Sequence, residues 1–528
     1  MIFPYNLKNF ILNDPLIDYL KENPAYYSLK NKKSKYTSYL ESKKWKFTQE
    51  CISHFKGQYS SDEILDLSLI IGFKDKCDKT GVALKNKAIQ CIIYGGLSKG
   101  NQGAVPDLLI KRHGEFHVLD IRLMSCYYCK DNVTLRNNNY LWYCKTRLYM
   151  MNNLLPKPQK LAYIAARRIG DKTYKEHLIF IDMAAALKQR YNDALEWVQK
   201  LQINKKKWRL EPPSVKELYP NMKVVNEEWD NVKKELAVKL KEVSLVWNIT
   251  TKQRQRLHKE GIFSWDDPRL FNTLQTKKSI PKTLNIQKKF ICVNSKIGDT
   301  SPSVINEINL DILNKNNYVS FFVDFETVMD LDENSSNCNI NMTFMIGCIA
   351  VVNGKSSYKD FTVSGLTDTE EKKIFVRWIE YMIRLSNKHN VLLKDVPIYH
   401  WSPAEKTFYK AAANKHDLQN IESFNWIDMF QMFKREPITL KNAWAFGLKN
   451  IAKVLFDKGE IKTTWSVEDA SDGQDAMVRV IKCNEKAILK NVPLKRFEEM
   501  HQIITYNYVD CQVLYEILEC LQRFKIEK

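Results

Sequence analysis

The sequence has few glycines and prolines, no long apolar run and no regular spacing of cysteines. Its 17 glycines and 16 prolines among 528 residues are too few for a collagen-like or low-complexity chain. The longest apolar run, residues 342–352, is too short to cross a bilayer and contains the polar Thr343. The first residues lack the basic and apolar regions of a secretory signal peptide. We therefore expect a folded intracellular protein, cytoplasmic or nuclear, that does not enter a membrane.

The 12 cysteines show no repeating framework, which is typical of a protein from a reducing compartment. Cys126, Cys129 and Cys144 have the spacing of part of a zinc or iron–sulfur site. No second closely spaced pair accompanies them. Buried or free thiols are therefore the favoured interpretation.

The formal charge of +20 is unevenly distributed along the chain. Residues 1–170 hold 27 basic and 14 acidic side chains, residues 171–290 hold 25 and 15, and residues 291–528 hold 29 and 32. A basic region can bind phosphates and an acidic region can bind metal ions, which favours a nucleic-acid partner. Lysines on solvated helix surfaces are the alternative explanation.

Length and hydrophobic patterning predict an α/β multidomain protein, since 528 residues are about three times a typical domain of roughly 150. Apolar runs predict strands at residues 88–97, 104–110, 116–123, 160–166, 318–325, 342–352 and 357–363. Three- and four-residue spacing predicts helices at residues 43–55, 140–155, 193–201, 226–247, 370–385 and 506–522. The predicted domains are a mixed α/β domain at 1–170, a helical connector at 171–290, a linker at 291–317 and a second α/β domain at 318–528.

The sharpest chemical signal lies in the strand predicted at residues 318–325. Alternate residues of a strand point to one side, so Asp324 and Glu326 place two carboxylates on one face of an apolar strand. Burying two like charges is costly unless a cation neutralises them, and Mg²⁺ prefers carboxylate oxygens. The pattern predicts a metal site, and a solvated strand end is the alternative.

Three further acids can complete such a site. Tyr506 and Asp510 are four residues apart and share one face of the last predicted helix, where they offer a metal ligand and a phenol that orients water. Glu405 and Asp428 each follow an apolar, strand-like run.

These residues together resemble the acidic motifs of RNase H-like DEDD exonucleases of the tyrosine-bearing subclass. The segments Phe344-Met-Ile-Gly347, Gly447-Leu-Lys-Asn-Ile-Ala-Lys453 and Tyr506-Asn-x-x-Asp-Cys511 are similar to the branch that is fused behind RecB-type nuclease domains. In that branch the intermediate acid is Glu, which places this role on Glu405, with Asp428 as the competitor. The resemblance implies phosphodiester hydrolysis by two Mg²⁺ or Mn²⁺ ions. Asp324 would bridge the ions, Glu326, Glu405 and Asp510 would complete their shells, and Tyr506 would position water.

A second signature lies near the N-terminus. Asp107 lies in one predicted strand, and Asp120 and Arg122 lie on one face of the next. A metal ion bound by the two acids and the Arg122 guanidinium could then contact the same scissile phosphate. The pattern resembles the PD-(D/E)xK motif of RecB-like and restriction-type nucleases. The family's catalytic Lys is Arg122 here, and the Gln and Tyr of its helix align with Arg147 and Met151. Lys can lose a proton and Arg cannot, so we expect a degenerate fold that holds DNA. Glu50 is the candidate for the upstream helical acid.

The central segments 208–214, 217–222 and 261–268 are similar to the connector of the same two-nuclease family, which includes versions encoded by large DNA viruses. A basic helix at residues 252–259 carries Lys252, Arg254 and Arg256, which can contact phosphates together with Arg122 and Arg147. We therefore expect a metal-dependent nuclease, a 3′–5′ exonuclease on DNA rather than RNA, whose N-terminal domain holds the substrate. The alternatives are a catalytically silent nucleic-acid-binding protein and an interaction scaffold without a nucleic-acid role.

Overall fold

The structure, a computed structural model, describes residues 1–131, 135–136, 138–275, 280–295, 318–329, 342–418, 424–435, 438–466 and 472–526. The chain divides into two compact units. The first comprises residues 1–244 and 250–264, and the second comprises residues 245–249 and 265–528. Each unit contains a mixed β-sheet with helices, so the protein is α/β and multidomain, as the sequence predicts.

The first unit is built on eight strands within its described residues. They are β1 (Ile64–Asp66), β2 (Cys91–Ile93), β3 (Leu97–Lys99), β4 (Gln102–Ala104), β5 (Leu108–Arg112), β6 (Glu115–Cys126), β7 (Leu161–Ile169) and β8 (Ile179–Asp182). Its helices are α1 (Lys8–Ile11), α2 (Leu16–Glu22), α3 (Lys35–Lys56), α4 (Phe73–Ala83), α5 (Asn139–Asn153), α6 (Ala185–Asn204), α7 (Asp230–Lys239) and α8 (Thr251–Lys259).

The main sheet of this unit has the order β1-β2-β5-β6-β7-β8, and β3 pairs with β4 separately. Strands β5 and β6 form a hairpin whose turn residues, His113 and Gly114, have φ angles of 52° and 82°. Positive φ at both positions suits a two-residue turn that matches strand twist. The strands therefore extend further into the polar segment 111–115 than the sequence predicts.

Two sequence predictions in this unit were wrong in extent. The strand predicted at residues 88–97 is interrupted after Ile93 because Tyr94 adopts a φ of 53° and two glycines follow it. The helix predicted at residues 226–247 is confirmed only at Asp230–Lys239, since Lys241 has a φ of 53° and leaves the helical conformation. The stretch predicted as a helical connector also supplies β8, which is an edge strand of the main sheet.

The second unit is built on five strands within its described residues. They are β9 (Val319–Val328), β10 (Met342–Val352), β11 (Lys355–Thr362), β12 (Pro397–His400) and β13 (Asn425–Asp428). Its helices are α9 (Leu270–Leu274), α10 (Pro281–Ser295), α11 (Asp368–Lys388), α12 (Ala404–His416), α13 (Met429–Arg435), α14 (Leu448–Asp457), α15 (Gly473–Lys490) and α16 (Glu498–Ile526). The predicted linker at 291–317 begins inside α10, and its residues 296–317 lie outside the described part of the chain.

The sheet of the second unit has the order β11-β10-β9-β12-β13, with β9 at its centre. Strands β9, β10 and β11 are antiparallel, whereas β12 runs parallel to β9 and β13. Asn353 and Gly354 form the hairpin turn between β10 and β11, with φ angles of 48° and 75°. The three strands predicted in this region are confirmed.

The two faces of β9 contact different helices. Phe325 packs against Phe375 and Trp378 of α11, while Phe322 packs against Tyr515 of α16. Because side chains alternate along a strand, the even-numbered residues of β9 face α16.

Within the described residues, no helix has both the length and the apolar content required to span a membrane.

Candidate metal centre

Three carboxylates meet where β9 faces α16. Asp324, Glu326 and Asp510 each offer one oxygen, and these oxygens all lie within 4.8 Å of one another. Among the described residues this is the only group of three or more acidic, histidine or cysteine side chains with metal-binding geometry. We call these three residues the carboxylate cluster. It can hold a metal ion.

The cluster is electrostatically strained without a cation. Withdrawal from water and the charge of Asp510 raise the pKa of Asp324 well above its usual range. The same two causes raise the pKa of Glu326 to about 8, and withdrawal from water raises the pKa of Asp510 to about 7. Three ionised carboxylates at this separation repel one another, and bound protons or a metal ion can relieve that repulsion.

Asn507 orients one member of the cluster. Its Nδ2 donates to Asp324 Oδ2 at 2.8 Å and to the Asp324 carbonyl oxygen at 3.2 Å. Its Oδ1 accepts a hydrogen bond from the Tyr358 hydroxyl at 3.1 Å. Asn507 is completely buried, so these bonds fix the Asp324 carboxylate against α16. Asn507 belongs to the segment 506–511 that resembles the family, but no sequence pattern indicated its role.

Tyr506 lies beside the cluster, as the helical spacing predicts. Its side chain is buried, and its hydroxyl is hydrogen-bonded to the Asp510 carboxylate. Burial and the nearby charges of Asp510, Glu326 and Asp324 raise the pKa of the phenol above its usual range. Tyr506 therefore stays protonated and can donate a hydrogen bond.

Glu405 lies near the cluster but outside the group of three. It is buried in the first turn of α12, and its Oε2 is 3.2 Å from His400 Nδ1. Its charge contributes to raising the pKa values of all three cluster carboxylates. Glu405 is therefore close enough to the carboxylate cluster for its charge to act on all three members.

Asp428, the alternative to Glu405, has a different environment. It ends β13, and its Oδ1 accepts hydrogen bonds from the backbone N–H groups of Ser402 at 3.1 Å and Gln431 at 3.2 Å. Asp428 thus stabilises the chain reversal after β12 and the start of α13. This backbone role favours Glu405 as the fourth acid.

Two residues that the sequence analysis did not single out complete the surroundings of the cluster. The Lys449 ammonium lies 5.0 Å from the centre of the Tyr506 ring and 5.4 Å from that of Trp465. Its charge acts to lower the pKa values of the cluster carboxylates. Trp465 Nε1 donates to Asp510 Oδ1 at 3.1 Å. Lys449 falls in the quoted segment 447–453, whereas no sequence signal pointed to Trp465.

The N-terminal candidate site is closed by ion pairs. Arg122 Nε and Nη2 donate to the two carboxylate oxygens of Asp120, both at 2.7 Å, and Arg147 Nε donates to Oδ1 at 3.2 Å. Asp120 is completely buried, and although burial acts to raise its pKa, the two arginines hold it below the usual range. Positive charge is therefore already supplied to Asp120 by the protein.

The other N-terminal candidates are placed differently. Asp107 Oδ2 accepts from the backbone N–H of Ile121 at 2.7 Å, and burial together with the charge of Asp120 raises the Asp107 pKa to about 6. Glu50 is exposed on α3. Asp107 and Asp120 thus belong to one site, while nothing in the described contacts joins Glu50 to it.

The three cations of α8 that were predicted to contact phosphates differ in their exposure. Lys252 is exposed, and Arg256 is partly buried. Arg254 is buried and donates to Glu242 Oε1 at 2.8 Å and to the carbonyl oxygens of Tyr219 and Pro220 at 2.9 and 3.2 Å. These bonds attach α8 to the first unit. Arg254 therefore has a structural role in this arrangement rather than the predicted contact with nucleic acid.

Two adjoining cavities, of about 730 and 670 Å³, lie next to α8 in the first unit and share Asn13, Arg190 and Gln255. We call them the basic groove. The exposed cations that line it are Arg190, Lys216, Lys252 and Lys259. The Arg190 guanidinium lies 4.1 Å from the centre of the Trp142 ring, which also lines the groove. Cations beside an aromatic ring form a surface suited to phosphates and bases.

Comparison of the sequence with protein-family models and with curated proteins found no match.

Proposed function

We propose that this chain is a metal-dependent nuclease that hydrolyses phosphodiester bonds at the carboxylate cluster. The proposed substrate is DNA rather than RNA, degraded from its 3′ end. The observation that carries the proposal is the meeting of three buried or half-buried carboxylate oxygens within 4.8 Å. The proposed folds are an RNase H-like DEDD exonuclease in the second unit and a PD-(D/E)xK-like fold in the first.

The donor set of the cluster fits Mg²⁺ or Mn²⁺. Asp324, Glu326 and Asp510 offer only oxygen, which is the donor that hard divalent cations prefer. We propose two ions, with Glu405 as the additional ligand. When bound, such ions lower the pKa of water and stabilise a leaving oxygen.

The chain's own residues would then orient the reactants. In this proposal the Tyr506 hydroxyl, which lies beside Asp510, holds the attacking water, and the Lys449 ammonium near the Tyr506 ring balances the charge of the phosphate. In the reaction, the water oxygen bonds to phosphorus while the bond from phosphorus to the 3′ oxygen breaks. The water gives up its proton, and the leaving 3′ oxygen takes one up.

We propose that the first unit holds the nucleic acid. Asp120 is buried and ion-paired to Arg122 and Arg147, which disfavours cleavage at this site and gives the two arginines a structural role rather than the predicted phosphate contact. The basic groove provides an exposed surface in the same unit, with Lys252 among its cations. Phosphate contacts there would supply affinity without sequence preference.

The deciding experiment uses a single-stranded DNA oligonucleotide labelled at its 5′ end, incubated with the full chain and Mg²⁺. The wild type should shorten it progressively from the 3′ end, and Asp324→Asn should abolish this activity. The exposed Asp182 provides the matched control, since D182N should cleave normally. Undiminished cleavage by D324N would overturn the proposal. Tight binding without cleavage by the wild type would instead favour the catalytically silent alternative.

A further inference from the structure

A short segment between α14 and α15 is attached along α16. We call residues 461–466 the strap. Glu516 of α16 accepts hydrogen bonds from the backbone N–H groups of Lys462 at 2.7 Å and Thr463 at 2.9 Å, and from the Thr463 hydroxyl at 2.5 Å. The half-buried Glu516 carboxylate therefore fixes two consecutive residues of the strap to the helix.

The strap continues from this anchor to the carboxylate cluster. Glu516 lies six residues after Asp510 on α16, about 9 Å further along the helix axis. Two residues beyond Thr463, the half-buried Trp465 donates its indole N–H to Asp510 Oδ1 at 3.1 Å. The anchor at Glu516 thus determines where the indole meets Asp510.

The indole has a specific chemical effect on Asp510. An indole N–H can donate but cannot accept, so in this bond the Asp510 Oδ1 atom is the acceptor and one of its lone pairs points at Trp465. Tyr506 is hydrogen-bonded to the same carboxylate. Trp465 and Tyr506 together therefore restrict the rotation of the Asp510 carboxylate about its Cβ–Cγ bond. Groups that orient a ligand in this way commonly change metal affinity by about 10- to 100-fold when they are removed.

We propose that Trp465 is a positioning residue of the metal centre, which holds Asp510 so that its remaining lone pairs face Asp324 and Glu326. This inference rests on the proposed metal-dependent function. It assigns the strap a purpose beyond packing: Glu516 fixes the strap, and the strap presents the indole N–H to a metal ligand.

The test measures Mn²⁺ binding by the full chain without nucleic acid, using the electron paramagnetic resonance signal of free Mn²⁺. Trp465→Phe keeps an aromatic ring at this position and removes the N–H donor together with one ring of the indole. We expect its Kd for Mn²⁺ to rise by about tenfold or more. Wild-type affinity in a folded W465F protein would overturn the inference, whereas a wild type that binds no Mn²⁺ would overturn the proposed function itself.

Trp197 supplies the matched control, because its Nε1 donates to Asp18 Oδ2 at 2.9 Å in the first unit. W197F removes the same kind of bond and should leave the Kd for Mn²⁺ unchanged. Thr463→Val removes one anchoring bond and keeps Trp465, so it should weaken Mn²⁺ binding in the same direction but by less than W465F. The inference would be overturned if T463V and W465F both bound Mn²⁺ with wild-type affinity. If W465F does not fold, wild-type affinity in T463V alone would overturn it.

Discussion

Asn507 occupies the space that a side chain at position 347 would need. A Cβ atom on Gly347 would lie 1.6 Å from Asn507 Oδ1, and Gly347 pairs directly with Asp324 across β9 and β10. The missing side chain on one strand thus lets Asn507 reach the carboxylate on the next. This pairing explains why a glycine stands in the middle of an otherwise bulky, buried strand.

Gly347→Ala should therefore displace Asn507 and release Asp324. We expect a loss of about 1–3 kcal/mol in the free energy of unfolding, because the methyl group overpacks a buried site. Urea unfolding measures this loss, and Mn²⁺ binding should weaken in parallel. Gly81 has no heavy atom within 4 Å of its Cβ position, so G81A is the control that should not be destabilised. Equal stability of G347A and the wild type would contradict the packing argument.

Local regularities explain which parts of the site were predictable. Strand alternation placed Asp324 and Glu326 on one face, and helical spacing placed Tyr506 beside Asp510. Trp465 was missed because it reaches Asp510 only through the tertiary attachment of the strap.

The basic helix illustrates the opposite error, in which a local pattern suggested the wrong environment. Charge along α8 indicated solvent-facing cations, but Arg254 pairs with the buried Glu242, which lies 12 residues earlier in the chain. The turn at His113 and Gly114 is shorter than the gap between the strands predicted at 104–110 and 116–123, because turn length depends on φ angles that polar composition does not specify.

The stability of the first unit should fall as the pH rises from about 4 to about 7. Withdrawal from water raises the pKa of Asp18 to about 7, against the usual 3.8, although Asn9 and Trp197 donate hydrogen bonds to it. The folded state then binds the proton more tightly than the unfolded state, so its advantage is complete below pH 4 and is lost towards pH 7.

Asp18→Asn tests this sign. The variant cannot titrate, so its stability relative to the wild type should improve between pH 5 and pH 8, as measured by urea unfolding at both values. D182N, at an exposed carboxylate, should show no such change relative to the wild type. A relative stability of D18N that stays constant between the two pH values would rule out a proton-linked role for Asp18.

Substitutions in the basic groove should weaken the binding of single-stranded DNA. Arg190→Ala combined with Lys252→Ala removes two cations, so the slope of log K against log salt should become shallower by about 0.7 for each lost phosphate contact. Fluorescence anisotropy of a labelled oligonucleotide at several salt concentrations measures both quantities. The exposed Lys234 lies outside the groove, and K234A should retain wild-type affinity and slope. An unchanged slope in the double variant would place the nucleic acid elsewhere.

Asp120→Asn should destabilise the first unit strongly. It leaves the Arg122 and Arg147 guanidinium groups without their buried counter-charge, and breaking such a pair costs about 3–5 kcal/mol. Urea unfolding measures the effect. Asp66 forms an exposed ion pair with Lys56, so D66N should cost only about 0–1 kcal/mol. A D120N protein as stable as D66N would show that the arginines are satisfied without Asp120.

Lys449→Met should change metal binding and substrate binding in opposite directions. Its ammonium acts to lower the pKa values of the cluster carboxylates, so its removal should leave Mn²⁺ affinity equal or higher. The KM for an oligonucleotide should rise by about 10- to 100-fold, because a hydrogen bond to a charged phosphate is worth about 1.5–3 kcal/mol. Lys453, one turn further along α14, pairs with Asp457 on the surface, and K453M should alter neither quantity. A parallel loss of metal and substrate binding in K449M would show that Lys449 supports the cluster's structure instead of contacting the phosphate.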